Sequence, residues 1–266
     1  MKNRIISAVV ASIICVPLFF IGGIAFNIGV YVLALLALKE FIAVKSIKKE
    51  TPVFIKLVSY IMMTLLILSS NNTTDFSFAL DFRVITALFL IYLLPTVLYH
   101  DRKIYSIVDA FFFIGSIFFL GAAFHLMVFV RGESLELLAY LFLISIMTDT
   151  FAYVTGMLIG RNKLLEEISP KKTVEGYIGG ALFGVLTATW FYFVVIDPEA
   201  SLINITLITL FLSMLGQFGD LVFSAIKRYY GKKDFSNIMP GHGGILDRLD
   251  SILFILLGFM FFMTII

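Results

Sequence analysis

Charge is scarce in this 266-residue sequence. Asp, Glu, Lys and Arg make up 14% of it, apolar residues make up 60%, and the mean hydropathy is +1.02. An ordinary soluble domain, whose apolar fraction is nearer half, is excluded. Cysteine is scarcer still: Cys15 stands alone inside an apolar run, so no intrachain disulfide and no cysteine-based metal site can form. It is expected to be a small buried hydrophobe. Long polar connectors are missing too, which leaves no room for a separate soluble domain. Neither an inverted internal repeat of the transporter kind nor a low-complexity tract is present. The net formal charge is only +2, and no nucleic-acid partner is expected.

What the sequence does contain is a succession of apolar runs, each near the roughly 20 residues that cross a hydrocarbon core of about 30 Å. They fall at about 1–20, 24–44, 53–69, 83–99, 105–130, 135–159, 175–196, 202–226 and 248–266. The expected fold is an all-α polytopic membrane protein of about nine transmembrane helices, forming a single transmembrane domain over 1–266. The first run follows Lys2 and Arg4 without a clear small-x-small cleavage site, so it is expected as a retained helix. The run at 105–130 is long enough for one tilted helix or a helix with a re-entrant piece. A split there would invert every later connector, and the basic residues downstream argue for one span.

Those basic residues set the orientation. With the Lys39–Lys56 connector in the cytoplasm, alternation over nine spans also places Lys2, Arg4, Arg102, Lys103, Arg161, Lys163, Lys171, Lys172, Lys227, Arg228, Lys232, Lys233 and Arg248 inside. Only Arg83 and Arg131 of the 20 basic residues fall outside. The N-terminus is then cytoplasmic, the C-terminus external, and the chain a multi-pass protein of the cytoplasmic membrane. Residues 1–130 read as scaffold and lipid-facing spans, and 135–266 as a catalytic half with cytoplasmic loops at 160–174 and 227–247. Glu40 and Asp109, near the inner ends of scaffold spans, are expected to pair with a nearby Lys or Arg.

Two polar blocks interrupt the apolar runs on the cytoplasmic side. In the first, Asp149 lies within an apolar helix and is costly to ionise unless it faces a polar cavity or a cation. Gly156 with Gly160, and Gly176 with Gly180, form small-residue faces of the kind that pack helices together, compatible with a homodimer. Between them Ser169, Lys171, Lys172 and Thr173 offer two ammonium groups and two hydroxyls at a helix start, a natural anion site. The bland reading, Thr173 capping a helix beside loop-anchoring lysines, stands level with it on these residues alone.

The second block, Asp220 to Asp250, is the densest polar stretch in the chain. Asp220, Ser224 and Lys227 are spaced i, i+4, i+7 and share one helix face; Asp247 and Asp250, spaced i, i+3, share another. Carboxylates brought to one site repel unless a cation sits among them. An all-oxygen site of this kind suits Mg2+, with a second cation left open. Lys227, Arg228, Lys232, Lys233 and Arg248 surround it with positive charge, as phosphoryl or nucleotidyl transfer requires. His242, in the turn with Gly243 and Gly244, could donate to a phosphate, carry a proton or tie the loop down, and the residue alone favours the last.

The run Ser224, Lys227, Arg228, Lys233, then His242-Gly243-Gly244 with Asp247, Arg248 and Asp250, closely resembles the C-terminal motif of the phosphatidate cytidylyltransferases (CDP-diacylglycerol synthases). The Ser169-Pro170-Lys171-Lys172-Thr173 and Asp149 to Arg161 segments are similar to that family as well, with Met239 a mild departure. The resemblance implies CTP and phosphatidate as substrates, CDP-diacylglycerol and pyrophosphate as products, membrane lipid as partner and Mg2+ as cofactor. It implies that Asp220 and Asp247 hold the metal with Asp250 in support, and that Ser224, Lys227, Arg228, Lys233 and Arg248 contact phosphates. Ser169, Lys171, Lys172 and Thr173 would serve the CTP triphosphate, with His242, Gly243 and Gly244 shaping the floor. The catalytic group on this view is Asp220, Asp247, Lys227, Arg248 and His242. A CTP-dependent lipid kinase and an ion-coupled transporter are the rival functions.

Overall fold

The computed structural model describes residues 2–68, 82–241 and 243–263. Among these it has nine α-helices: α1 (Lys2–Ile21), α2 (Gly23–Ser46), α3 (Val53–Leu68), α4 (Phe82–Leu98), α5 (Ile107–Glu133), α6 (Leu135–Ile159), α7 (Val174–Phe191), α8 (Leu202–Tyr229) and α9 (Leu246–Phe259). A π turn, Tyr192–Ile196, extends α7, and a 3-10 turn, Met260–Phe262, extends α9. Each apolar run of the sequence becomes one helix, because a segment surrounded by hydrocarbon must satisfy its backbone polar groups internally. The long run at 105–130 is a single 27-residue helix. By length and composition α2, α5, α6, α7 with its π turn, and α8 can each cross a membrane; α1, α3 and α4 contain shorter apolar helices.

The chain divides into two compact units. The first comprises residues 1–132 and Asp234–Leu246, and so takes in part of the loop that the sequence groups with the catalytic half. Its core is rich in aromatic rings, with Tyr92 stacked on Phe113 at 5.8 Å. Polar side chains tie its helices together, as expected where apolar contact alone discriminates weakly. Tyr31 bonds Thr64 at 3.0 Å and the Tyr92 hydroxyl donates to Ser59 at 2.9 Å. Asp109, buried at the start of α5, pairs with Lys45 at 2.8 Å and Lys49 at 2.5 Å, as its sequence position led us to expect. Arg131, at the end of α5, donates to the carbonyls of Phe19 and Phe20 at 2.9 and 3.1 Å. Its cation thereby satisfies acceptors left open at the C-terminal end of α1. Cys15 departs from expectation. It is exposed on α1 rather than buried, because a terminal helix presents only part of its surface to neighbours.

The second unit comprises residues 133–233 and 247–266. In it α6 and α7 pack along glycines. A Cβ on Gly180 would lie 2.7 Å from both Ala152 Cβ and the Thr148 carbonyl oxygen, so only glycine allows this approach. Thr148 bonds Ser213 at 2.7 Å, and Tyr140 bonds Thr209 at 2.6 Å, joining α6 to α8 through buried hydroxyls. The loop between α6 and α7 is not wholly irregular: β1 (Lys163–Leu165) and β2 (Ser169–Thr173) form an antiparallel hairpin. That corrects the all-α expectation locally. Outside the apolar runs, extended residues can pair with each other instead of coiling.

Candidate active site

Thr173 ends β2 and caps α7, its hydroxyl accepting from Gly176 N–H at 3.1 Å. Three glycines exist around that one side chain. A Cβ on Gly156, Gly160 or Gly176 would fall 2.8–2.9 Å from Thr173 Oγ1. The capping reading of Thr173 and the packing reading of the glycines are thus one arrangement. Beside it the Glu175 carboxylate accepts from the backbone N–H of Arg161 and Asn162 at 3.1 and 3.2 Å, and from Asn162 Nδ2 at 2.8 Å. This clamp fixes where β2 delivers Lys172.

Lys172 Nζ pairs with Asp220 Oδ2 at 2.6 Å, both side chains a little over one quarter exposed. One turn along α8, the Ser224 hydroxyl donates to Asp220 Oδ1 at 3.3 Å. A further turn on, Lys227 Nζ donates to Asp247 Oδ1 at 2.7 Å, with side chains only 10% and 5% exposed. The shared face of Asp220, Ser224 and Lys227 is therefore real, and each member engages a charged or hydroxyl partner. Asp149 on α6 lies within electrostatic reach of Asp220 and Lys172, and Asp250 within reach of Asp220, Asp149 and Lys227. The connected set of Asp149, Asp220, Asp247 and Asp250 with Lys172 and Lys227 holds four carboxyl groups against two ammonium groups. Such a set calls for a cation or for bound protons.

Other residues singled out from the sequence take different places. Arg228 donates from Nε to the Ile168 carbonyl at 3.3 Å and from Nη1 to that of Lys232 at 3.0 Å, binding the hairpin to the end of α8. That end is a Schellman turn: Lys232 N–H reaches Lys227 O and Gly231 N–H reaches Arg228 O, both at 2.9 Å, with Gly231 at φ +68°. Lys171, Lys233 and Arg248 are exposed, while Ser169 is half-buried and pairs across the hairpin with Leu165. In the first unit, Gly243 exchanges backbone bonds with Met239 at 3.0 and 3.1 Å, at a φ of +87° that favours glycine. Gly244 is buried against Glu40. His242 lies outside the described residues.

Asp149, expected to face a polar cavity or a cation, lies in the acidic cluster. One feature escaped the sequence reading. Ser251 on α9 is 3% exposed, and its hydroxyl makes no bond to its own helix but lies against the Asp149 carboxylate. Elsewhere in the chain, Ser59, Thr64 and Thr209 hydroxyls donate back to the carbonyl one turn earlier, at 2.7, 2.8 and 2.6 Å. The Ser251 hydroxyl does not, and is turned to the carboxylate instead. Among the described residues no three acidic, histidine or cysteine side chains come close enough to cage an ion unaided. Four carboxyl groups facing two ammonium groups, with a hydroxyl turned to one of them, nevertheless offer the hard oxygen donors that fit a hydrated Mg2+ taking further ligands from a phosphate.

A family described as the cytidylyltransferase family has a sequence model that matches residues 2–266. The chain belongs to this family. Three similar proteins are each named phosphatidate cytidylyltransferase. That of Staphylococcus haemolyticus is 36% identical over 256 residues, that of Staphylococcus saprophyticus 37% over 258, and that of Staphylococcus aureus (strain COL) 38% over 258. Each match covers 96% of this chain and 96% of the relative. Family membership across the whole chain accords with a multi-pass membrane enzyme rather than a transporter with an incidental acidic cluster.

Proposed function

We propose that the protein is a phosphatidate cytidylyltransferase: it transfers CMP from CTP to phosphatidate, releasing pyrophosphate and forming CDP-diacylglycerol. The observation that carries this reading is the set of opposed charges on α8, α9 and β2, where Lys172 meets Asp220 and Lys227 meets Asp247. Such internal pairs can be exchanged for external ones. A triphosphate arriving with its counter-ion draws the ammonium groups to phosphate oxygens and leaves the carboxylates to the cation.

Asp220 and Asp247 would hold Mg2+, with Asp250, Asp149 and the Ser251 hydroxyl in support, once Lys172 and Lys227 have turned to phosphate. When bound, the ion supplies Lewis-acid stabilisation of charge on the phosphates. Lys171 and Lys172 reach the triphosphate from the hairpin, while Lys227, Arg248 and Lys233 meet phosphate from the ends of α8 and α9. Arg228 acts at one remove, by holding the hairpin against α8. The attacking group is a phosphate monoester oxygen of the lipid, already anionic near neutral pH, so no covalent enzyme intermediate is needed. The new O–P bond forms at the α-phosphorus as the bond to pyrophosphate breaks, and the residues contribute alignment and charge neutralisation.

The site faces the cytoplasm in this account, with nine spans, the N-terminus inside and the C-terminus outside. Support comes from contacts within each unit. Arg131 joins the ends of α1 and α5, Asp109 joins the start of α5 to the end of α2, and Lys172 joins the start of α7 to α8. Every one of these pairs would lie on a single membrane face under strict alternation. CTP then enters from water and phosphatidate from the inner leaflet. Detergent-purified protein given phosphatidate, CTP and Mg2+ is expected to form CDP-diacylglycerol and equimolar pyrophosphate, read by mass spectrometry and a pyrophosphate assay. Absence of both products from folded protein would overturn the reading.

A further inference from the structure

Glu40 sits in α2, 1% exposed, near the end of a helix that otherwise serves as scaffold. A carboxylate so buried needs partners, and its sequence position suggested a lysine or arginine. Its hydrogen bonds go elsewhere. Oε1 accepts from the Ser236 hydroxyl at 2.6 Å and from Ile245 N–H at 2.8 Å, and Oε2 accepts from Leu246 N–H at 2.9 Å. Ile245 and Leu246 open α9, where backbone N–H groups have no partner within the helix and the helix dipole favours a negative charge. Glu40 therefore caps α9 from a different helix, while its Ser236 bond fastens the other end of the glycine loop. Its neighbour Phe41 packs on Phe235 with ring centroids 5.7 Å apart, docking the same loop.

We propose that Glu40 is a positioning residue for the transfer reaction. By holding the N–H groups of Ile245 and Leu246, it fixes the backbone from which α9 continues into Asp247 and Asp250, the first and fourth residues after Leu246. Gly244 belongs to the same device. A Cβ there would fall on the Glu40 carboxylate, and Gly244 is not among the positive-φ glycines, so it is glycine for room and not for backbone freedom. The proposal rests on the transferase reading for its kinetic part alone.

The test uses purified full-length protein and three variants, Glu40→Ala, Glu40→Gln and Gly244→Ala. Hydrogen exchange over a peptide covering 236–250 is expected to show faster exchange at Ile245 and Leu246 in Glu40→Ala, with α8 amides unchanged. A displacement of about 1 Å at reacting groups can cost on the order of 100-fold, so kcat should fall by roughly that factor, with KM for CTP shifted by less than about threefold. Glu40→Gln keeps one oxygen for Ser236 and Ile245 and should recover part of kcat. Gly244→Ala should reproduce the Glu40→Ala signature, and the double variant should be no worse than the worse single. Parental exchange at Ile245 and Leu246, or an activity loss that merely tracks the loss of folded protein, would overturn the proposal. If the parent itself transfers no CMP, the transferase reading fails while the exchange arm still decides whether Glu40 caps α9.

Discussion

Lys227 and Asp247 offer a sharp quantitative test, because their ion pair is nearly dry. With 2.7 Å between Nζ and Oδ1 and side chains 10% and 5% exposed, solvent screening is weak. At an effective dielectric near 20, the gross attraction is about 6 kcal/mol, most of it cancelled by desolvation. Removing one partner leaves the other charge buried, which costs about 3–5 kcal/mol in comparable cases. Asp250 lies within reach of Lys227, so Asp247→Asn should sit at the lower end, about 3 kcal/mol, and Lys227→Met higher. At roughly 2–4 °C per kcal/mol, the Asp247→Asn loss corresponds to a Tm decrease of roughly 6–12 °C. The double variant Lys227→Met/Asp247→Asn should be more stable than either single, since a neutral pair has no charge to strand. Thermal unfolding in detergent, followed by size-exclusion retention, measures all three. All should lack transferase activity, which separates the charge's role in folding from its role at the site. Singles within about 2 °C of the parent, or a double equal to their sum, would refute the argument.

Further outcomes follow from the same structure. Chelation with EDTA should abolish activity and added Mg2+ should restore it, whereas persistence of full activity in chelator would remove the metal from the account. Lys172→Ala, which removes the hairpin's hold on Asp220, should raise KM for CTP by at least about tenfold, the effect of roughly 1.4 kcal/mol, while KM for phosphatidate moves little; steady-state kinetics decide. Gly180→Ala should destabilise by about 1–3 kcal/mol through overpacking of α6 on α7, seen as a lower Tm with unchanged KM values in the surviving protein.

The helices were legible because a run that is apolar all round has one structural solution in hydrocarbon, and each expected span holds one helix, the last of them ending at Phe259 with a 3-10 turn beyond it. The face shared by Asp220, Ser224 and Lys227 was legible for a related reason: helical periodicity operates within seven residues. Partners further apart in sequence were not. Nothing near Glu40 indicates that its acceptors serve N–H groups 205 and 206 positions later, and a lysine-rich neighbourhood pointed to the wrong partner. Arg228 carries the charge of a phosphate ligand, yet its fork geometry equally suits two carbonyls, one in the hairpin and one just past the end of α8. The pairing of Lys172 with Asp220 depends on where the hairpin turns. That turn is set by Glu175 and Asn162, residues whose individual signals are weak. Ser251 resembles any serine near a helix start until its place beside Asp149 is seen.

The central claim is that the lipid phosphate attacks the α-phosphorus of CTP. The direct measurement incubates purified protein, phosphatidate and Mg2+ with CTP labelled at either the α- or the γ-phosphate, beside folded Asp247→Asn protein. The account predicts that α-label enters the lipid, that γ-label leaves as pyrophosphate, and that the variant transfers neither. Entry of γ-label into lipid would contradict it in favour of a CTP-dependent kinase, and transfer of neither label by the parent would contradict it in favour of ion binding without group transfer.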